Sequence, residues 1–380
     1  MGQFFQNAAA SFVLFSHLLC ADTVVLQIDA GGYTLFAPPK ASFNPQVEEY
    51  ILSWSSGAGI SATLVNKDGV RIKGPNVIVA SGIPNSPPAV CYNSKDNAFL
   101  VSYGGNSGGG CAAFNILDGT GTSIIGPLFL PNAGGDVACG PVACCYNACD
   151  NTYVLAWGSA KMNGYFAVVD AAGHLVIPPT AEANCIIDVI AGFTMDVSYN
   201  STENRYLFSW QDKGDGLPHF AVYNADGTVH IGSTAISSKN TPNAMVVPGC
   251  YNSRDNQYFF AWNDDATNGY FASYDAGGSV VLSSRQFADT VSGVNFGSIN
   301  SSYNPVMNAY FLSWEDINGN VQFAGFGAAG NVVKSTTEVR NINGNMTYGS
   351  VPNSIDTVAN SLLMSWFSLT GLGFYVISTL

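Results

Sequence analysis

One unit recurs seven times along this 380-residue chain at a spacing near 52 residues, and no other feature limits the fold so severely. A repeat of that length is one supersecondary unit that cannot bury its apolar faces alone, so the copies must stack on one another. The signature is Tyr-Asn, a short polar loop, Asn, an aromatic residue, two or three apolar residues and Trp. It runs from Phe43-Asn44 to Trp54, Tyr92-Asn93 to Tyr103, Tyr146-Asn147 to Trp157, Tyr199-Asn200 to Trp210, Tyr251-Asn252 to Trp262, Tyr303-Asn304 to Trp314, and Asn353 to Trp366. The lead Asn positions are separated by 49, 54, 53, 52, 52 and 49 residues, and the seventh copy returns to register if three residues are inserted before Asn360. All six Trp fall at one repeat position, which the second copy fills with Tyr103.

Each unit carries a second hairpin, marked by Asp or Asn and then Gly where the turn needs positive φ: Asn66 to Gly69, Asp118-Gly119, Asp170 to Gly173, Asn224 to Gly227 and Asp275 to Gly277. The sixth keeps only Gly327-Ala-Ala-Gly330. The flanking segments are of strand length and rich in aromatic residues, and no apolar face of helical period runs for three turns. The fold class is therefore all-β. Four short strands in each of seven units make a seven-bladed β-propeller over residues 22–380, with repeats beginning near 43, 92, 146, 199, 251, 303 and 352. After Trp366 there is room for one more strand, Gly373 to Ser378, and Ile28 to Phe36 matches Val169 to Ile177. The N-terminal segment 24–36 is thus expected to complete the last blade beside residues 373–378, hiding an edge that would otherwise template aggregation.

The Tyr-Asn…Asn-x-Tyr…Trp unit resembles the repeats of exported bacterial β-propeller proteins over nearly the whole chain. That resemblance implies blade architecture and brings no catalytic residues with it. Export agrees with the only long apolar stretch, Ala8 to Leu19, read as the core of a signal peptide over residues 1–21. It is short for a membrane span, and the mature chain is expected without one, placed in the periplasm, at the cell surface or secreted, as a monomer. Against an outer-membrane barrel stand the long connections between units and a C-terminus, Ile377-Ser-Thr-Leu380, without a terminal aromatic.

With 47% hydrophobic and 10% charged residues the chain is not disordered, and its net charge of -13 repels phosphate backbones, which excludes nucleic acid as a partner. Seven copies of one Asn describe one turn made seven times, because Asn bonds its own loop backbone and tolerates the left-handed region. The Trp set reads as core between blades, which leaves no Trp platform for a sugar face. Gly105-Asn106-Ser107-Gly108-Gly109 resembles a nucleophile motif, but no helix follows it and His17 is the only earlier His, so it reads as a Gly-rich loop. His174, His219 and His230 occupy different repeat positions and show no metal-ligand spacing. Cys91, Cys145 and Cys250 share a small-residue slot that other blades fill with Ser198 and Ser302. Cys111, Cys139, Cys144, Cys149 and Cys185 crowd around the third blade, where one or two disulfides are expected in an oxidising compartment.

The most informative asymmetry is charge. The loop after the repeat Trp is neutral in the first three blades and acidic in the next three, with Asp212 and Asp215, Asp264 and Asp265, and Glu315 and Asp316. These loops share a face with the long connections between blades, and their oxygens would suit Ca²⁺ although none forms an EF-hand loop. Repulsion among them should be relieved by a cation or a basic surface. The function expected is a non-catalytic scaffold that binds a protein or glycan through blade-connecting loops, with no cofactor beyond that calcium. The alternative is a carbohydrate-active hydrolase or lyase, which would need two carboxylates roughly 5–10 Å apart at the channel mouth.

Overall fold

The computed structural model describes residues 26–28, 38–56, 59–80, 87–105, 111–131, 138–159, 161–184, 195–238, 247–264, 266–288, 293–295, 299–339, 350–367 and 373–380. Seven four-stranded antiparallel sheets form the blades of a β-propeller. In blade four the strands are Asp196–Asn200, Arg205–Gln211, Pro218–Asn224 and Val229–Ala235, from the channel outward. Burial follows that radial order. The second strand of blade three, Thr152–Ser159, is buried at every residue, whereas the fourth strand of blade four alternates between exposed and half-buried. Both faces of a middle strand press against neighbouring blades, so these strands read as continuous apolar runs with no alternation. The repeat Trp residues and Tyr103 are all buried, as the periodicity requires.

The lead Asn does more than close its own turn. The Asn200 Oδ1 accepts from the backbone N–H of Thr202 and Glu203, both at 3.0 Å, while its Nδ2 donates to Asn256 Oδ1 at 3.1 Å and Tyr258 Oη at 2.9 Å in blade five. The same reach links Asn93 to Asn151 and Tyr153, Asn147 to Asn204 and Tyr206, and Asn252 to Asn308 and Tyr310. The acceptor Asn ends its turn at positive φ, 49° to 58° from Asn97 to Asn360, with Glu48 in the same role in blade one. A second ring runs through the Ser that precedes the Trp. Ser209 Oγ donates to Val247 O at 2.6 Å, Ser313 Oγ to Val351 O at 2.7 Å and Ser365 Oγ to Pro39 O at 2.6 Å, each time onto the following blade.

Blade seven corrects the repeat register. Its inner strand, Asn353–Asp356, ends in Asp356, whose Oδ1 accepts from the backbone N–H of Val358 and Ala359 as a lead Asn does. The equivalent of Asn304 is therefore Asp356, 52 residues on, and no insertion is needed. The hairpin glycines shift similarly. The residues at positive φ are Gly121 in blade two and Gly278 in blade five, the fourth residue of the turn as in each of the first six blades, where a Cβ would meet a side chain of the neighbouring blade.

Closure is also found, in a different register. Leu26–Ile28 pairs antiparallel with Tyr375, Phe374 and Gly373 as the fourth strand of blade seven. Leu26 pairs with Tyr375 and lies against Gly69 as Leu128 pairs with Phe114 and lies against Gly173, so the described pairing lies at and before Ile28, ahead of the part of the sequence match expected to form the strand. Edge pairing is decided by which segment can reach the open strand. Residues 29–37, with Thr34, lie outside the described residues, as does the expected signal segment 1–21. Tyr375 Oη donates to Gly69 O at 2.6 Å across the seam.

Candidate functional site

Antiparallel order puts the first and third turns of every blade on one face and the second turns with the inter-blade connections on the other. The first face is occupied by the Asn ring. The second carries the acidic loops and the mouth of the central channel.

The acidic residues divide into two kinds. Glu315 and Asp316 are buried, at 1% and 3% exposure, and are not a surface patch. Asp316 accepts from the backbone of Asn318 and Asn320 and from the side chains of Asn320 and Gln322. Burial pushes Glu315 up to about 8, helped by the Asp316 charge and opposed by a hydrogen bond with Asn295. Asp264 accepts from the backbone of Ala266 and Asn268, the Asn268 side chain and Tyr270 Oη. Burial opposes its ionisation, but bonds from Asn268 and Tyr270 outweigh that and hold the carboxyl below its usual range. Asp212 is half-buried and Asp215 exposed: Asp212 accepts from Gly214 N at 2.7 Å, and Asp215 accepts from Leu217 N and meets His219 Nε2 at 3.0 Å. Asp265 lies outside the described residues.

Each described carboxylate is thus bound within its own loop or against an adjacent strand. Among the described residues no group of three His, Cys, Asp or Glu is arranged to hold a metal ion. Neutralising Asp264 or Asp316 would remove turn acceptors, which reverses the sign of the stability effect expected from simple repulsion. The sequence could not show this, because a capping Asp and a solvated Asp are the same letter at the same offset.

The sequence reading named the channel mouth for its hydrolase alternative but missed the polar residues that stand there, which are the more distinctive feature. Four residues before the lead position, at the start of the inner strand, stand Lys40 in blade one, Asp196 in blade four and Asn300 in blade six. The Lys40 Nζ donates to Asn300 Oδ1 at 3.3 Å. Asp196 accepts through Oδ1 from Val197 N and through Oδ2 from Gly249 N, both at 3.0 Å. Burial lowers Lys40 to about 8 against the pull of Asp196, and burial also raises the Asp196 carboxyl. A recess of about 170 Å³ opens beside them, walled by Pro87, Pro88, Pro141, Met195 and Cys144. Asp196 is the one carboxylate among the described residues that line it. The signal that could have found the site is a charged residue at a repeat position that other blades fill with Ala or Pro, as in Ala89, Ala143, Pro248 and Pro352.

Cys91, Cys144, Cys145, Cys149 and Cys250 are free thiols. The expected disulfides are absent from the described part of the cluster, and the side chains of Cys111, Cys139 and Cys185 lie outside it, with Ser107 of the Gly-rich loop. Cys91 and Cys250 are buried and Cys145 half-buried in the inner-strand slot. Replacing Cys250 with Ser is expected to cost less than about 1 kcal/mol, whereas Leu should overpack the slot by roughly 1–3 kcal/mol. Thermal melts of the two variants check this, and equal damage would refute the slot.

No protein-family model and no curated protein matches the sequence. Among solved structures the chain is similar to the BP39L lectin from Burkholderia pseudomallei, with a TM-score of 0.70 at 17% identity over 91% of this chain and 97% of the lectin. It is also similar to the β-propeller domain of Cps50 (Swd1) from Myceliophteria thermophila, with a TM-score of 0.57 at 10% identity over 93% and 98% of the two chains. A chain of the mitotic checkpoint complex matches at 0.56 and 11% identity, over 100% of this chain and 98% of that one. At these identities the likeness establishes the propeller fold.

Proposed function

We propose that the protein is an exported, non-catalytic binding scaffold that holds a protein or glycan ligand on the face carrying the channel mouth and the blade-connecting loops. The observation that carries this reading is the recess at the mouth, which Lys40 and Asp196 line from two blades while Asn300 of a third holds the Lys40 ammonium. A hydrogen-bonding cation and a carboxylate set in a proline-walled recess are the few oriented polar groups that a ligand site needs. The opposite face spends its repeated geometry on the Asn ring and has less to offer. A fold shared with a lectin and with propellers of protein assemblies accommodates either ligand class. Asp212 and Asp215 extend the same face outward and present oxygen ligands at its surface, where calcium or a basic partner would act.

The test is a glycan array together with a pull-down, run with and without calcium on the wild type, Lys40→Ala and the double variant Asp212→Asn, Asp215→Asn. The wild type is expected to retain a ligand that Lys40→Ala binds at least tenfold more weakly, about 1.4 kcal/mol. Undiminished binding by both variants would move the site off this face. Release of reducing sugar from a bound glycan would replace the scaffold with the hydrolase alternative.

A further inference from the structure

We propose that Cys91 and Cys144 are a redox-sensitive pair that closes a disulfide between blades two and three in the wall of the channel mouth. The inference does not depend on what the mouth binds. It rests on strand alternation. The lead Asn93 reaches forward to Asn151 and Tyr153 of blade three, so Cys91, two residues earlier in the same strand, also faces forward. Cys144 is three residues before Asn147 and faces backward. The two meet in one apolar cluster between the blades, with the Cys144 thiol beside that of Cys91. Cys145, the next residue, faces the other way and packs between blades three and four.

The interface between blades five and six shows the same pair of positions at work. There the Cys250 thiol lies beside the Ser301 side chain, two residues before one lead Asn and three before the next. At every seam other than that between blades two and three, at least one of these positions is not Cys. The contact is therefore a property of the repeat, and the thiol pair is what is peculiar to this seam.

Access sets the order of the chemistry. Cys144 is half-buried and lines the recess, whereas Cys91 is buried behind it. With a low-molecular-weight disulfide as oxidant, Cys144 loses its proton and its sulfur attacks one sulfur of the reagent. The reagent's S–S bond breaks, one small thiol leaves with a proton, and a mixed disulfide remains on Cys144. Cys91 then loses its proton and attacks the Cys144 sulfur, which forms the Cys91–Cys144 bond and releases the second small thiol. Two protein thiols are oxidised and one small disulfide is reduced to two thiols. Burial, and next the neighbouring Cys144 thiol, push the Cys91 thiol up, which keeps Cys91 protonated and leaves the first attack to Cys144. The product ties together two inner strands that border the recess.

The purified full chain, reduced and then incubated with oxidised glutathione, is alkylated with iodoacetamide in denaturant and digested with pepsin without reduction. The expected result is a cross-linked peptide containing Cys91 and Cys144, with two fewer alkylated thiols than the reduced chain. Dithiothreitol should restore both. Cys144→Ser should leave Cys91 fully alkylated, and this variant places at Cys144 the residue that blade six already carries as Ser301. Cys145→Ser should leave the cross-link intact. Alkylation of Cys91 in oxidised wild type, or pairing of Cys144 with Cys139, Cys145 or Cys149, would overturn the proposal, and the wild-type measurement decides it even if a variant misfolds.

Discussion

Replacing Asn200 with Ala is expected to lower the stability of the propeller by roughly 2–4 kcal/mol, as a large fall in denaturation midpoint with an unchanged slope. The Asn200 side chain is fully buried and takes part in four hydrogen bonds, two as acceptor within its turn and two as donor to blade five. Alanine would strand two backbone N–H groups and the buried Tyr258 hydroxyl, while Asn256 Oδ1 would keep its bond from Tyr251 Oη, and an orphaned buried polar group costs more than the net value of its bond. Asn200→Asp keeps the acceptor and loses the donors, so it should cost less than Ala. Blade seven already lives with that arrangement in Asp356, whose Oδ2 has no hydrogen-bond partner among the described residues. Urea melts of both variants check the order, and a loss below about 1 kcal/mol for Ala would show that the ring is dispensable.

The second large effect concerns pH. Glu315 has a folded pKa raised to about 8, from an ordinary value near 4.5, so the folded state holds the proton more tightly than the unfolded chain. The stability this group contributes is therefore complete below about 4.5, falls as pH rises and is lost above about 8, a total of roughly 2–5 kcal/mol. Glu315→Gln keeps the shape and cannot ionise. It should remove most of this decline and leave the variant more stable than the wild type at pH 9, with little difference at pH 4. Parallel pH profiles of the two proteins in urea melts would show that Glu315 is hydrated and titrates normally.

Both predictions turn on residues that the sequence displays openly and explains incompletely. The sevenfold Asn was legible as a turn because Asn bonding its own backbone is a local event. Its second bond, to the next blade, spans 56 residues from Asn200 to Asn256 and leaves no local mark. Glu315 illustrates the opposite error. It follows Trp314 at the offset where Gln211 follows Trp210, and the acidic pair Glu315-Asp316 looked like a solvated tip. Burial depends on what packs over a loop, and here Val294 bridges to Asp316 and covers it. In blade seven the search for a literal Asn chose Asn353 and missed that Asp356 makes the same turn with the same acceptor oxygen.

What the sequence determined by itself is everything that repetition encodes: seven units, four strands in each, buried Trp between blades, and a terminal segment that must close the ring. These follow from period, turn chemistry and the need of each sheet to cover both faces, and local signals carry them at each copy. What only the tertiary structure decided is where one blade meets another. Leu26–Ile28 pairs with the last strand of blade seven, Lys40 and Asn300 join across the channel, and Cys91 finds Cys144. Each of these is a departure from the repeat average, at a position whose partner lies on another blade. A periodic sequence specifies its average contacts many times over, but a singular contact is written once and acquires meaning only when the ring has brought its two halves together.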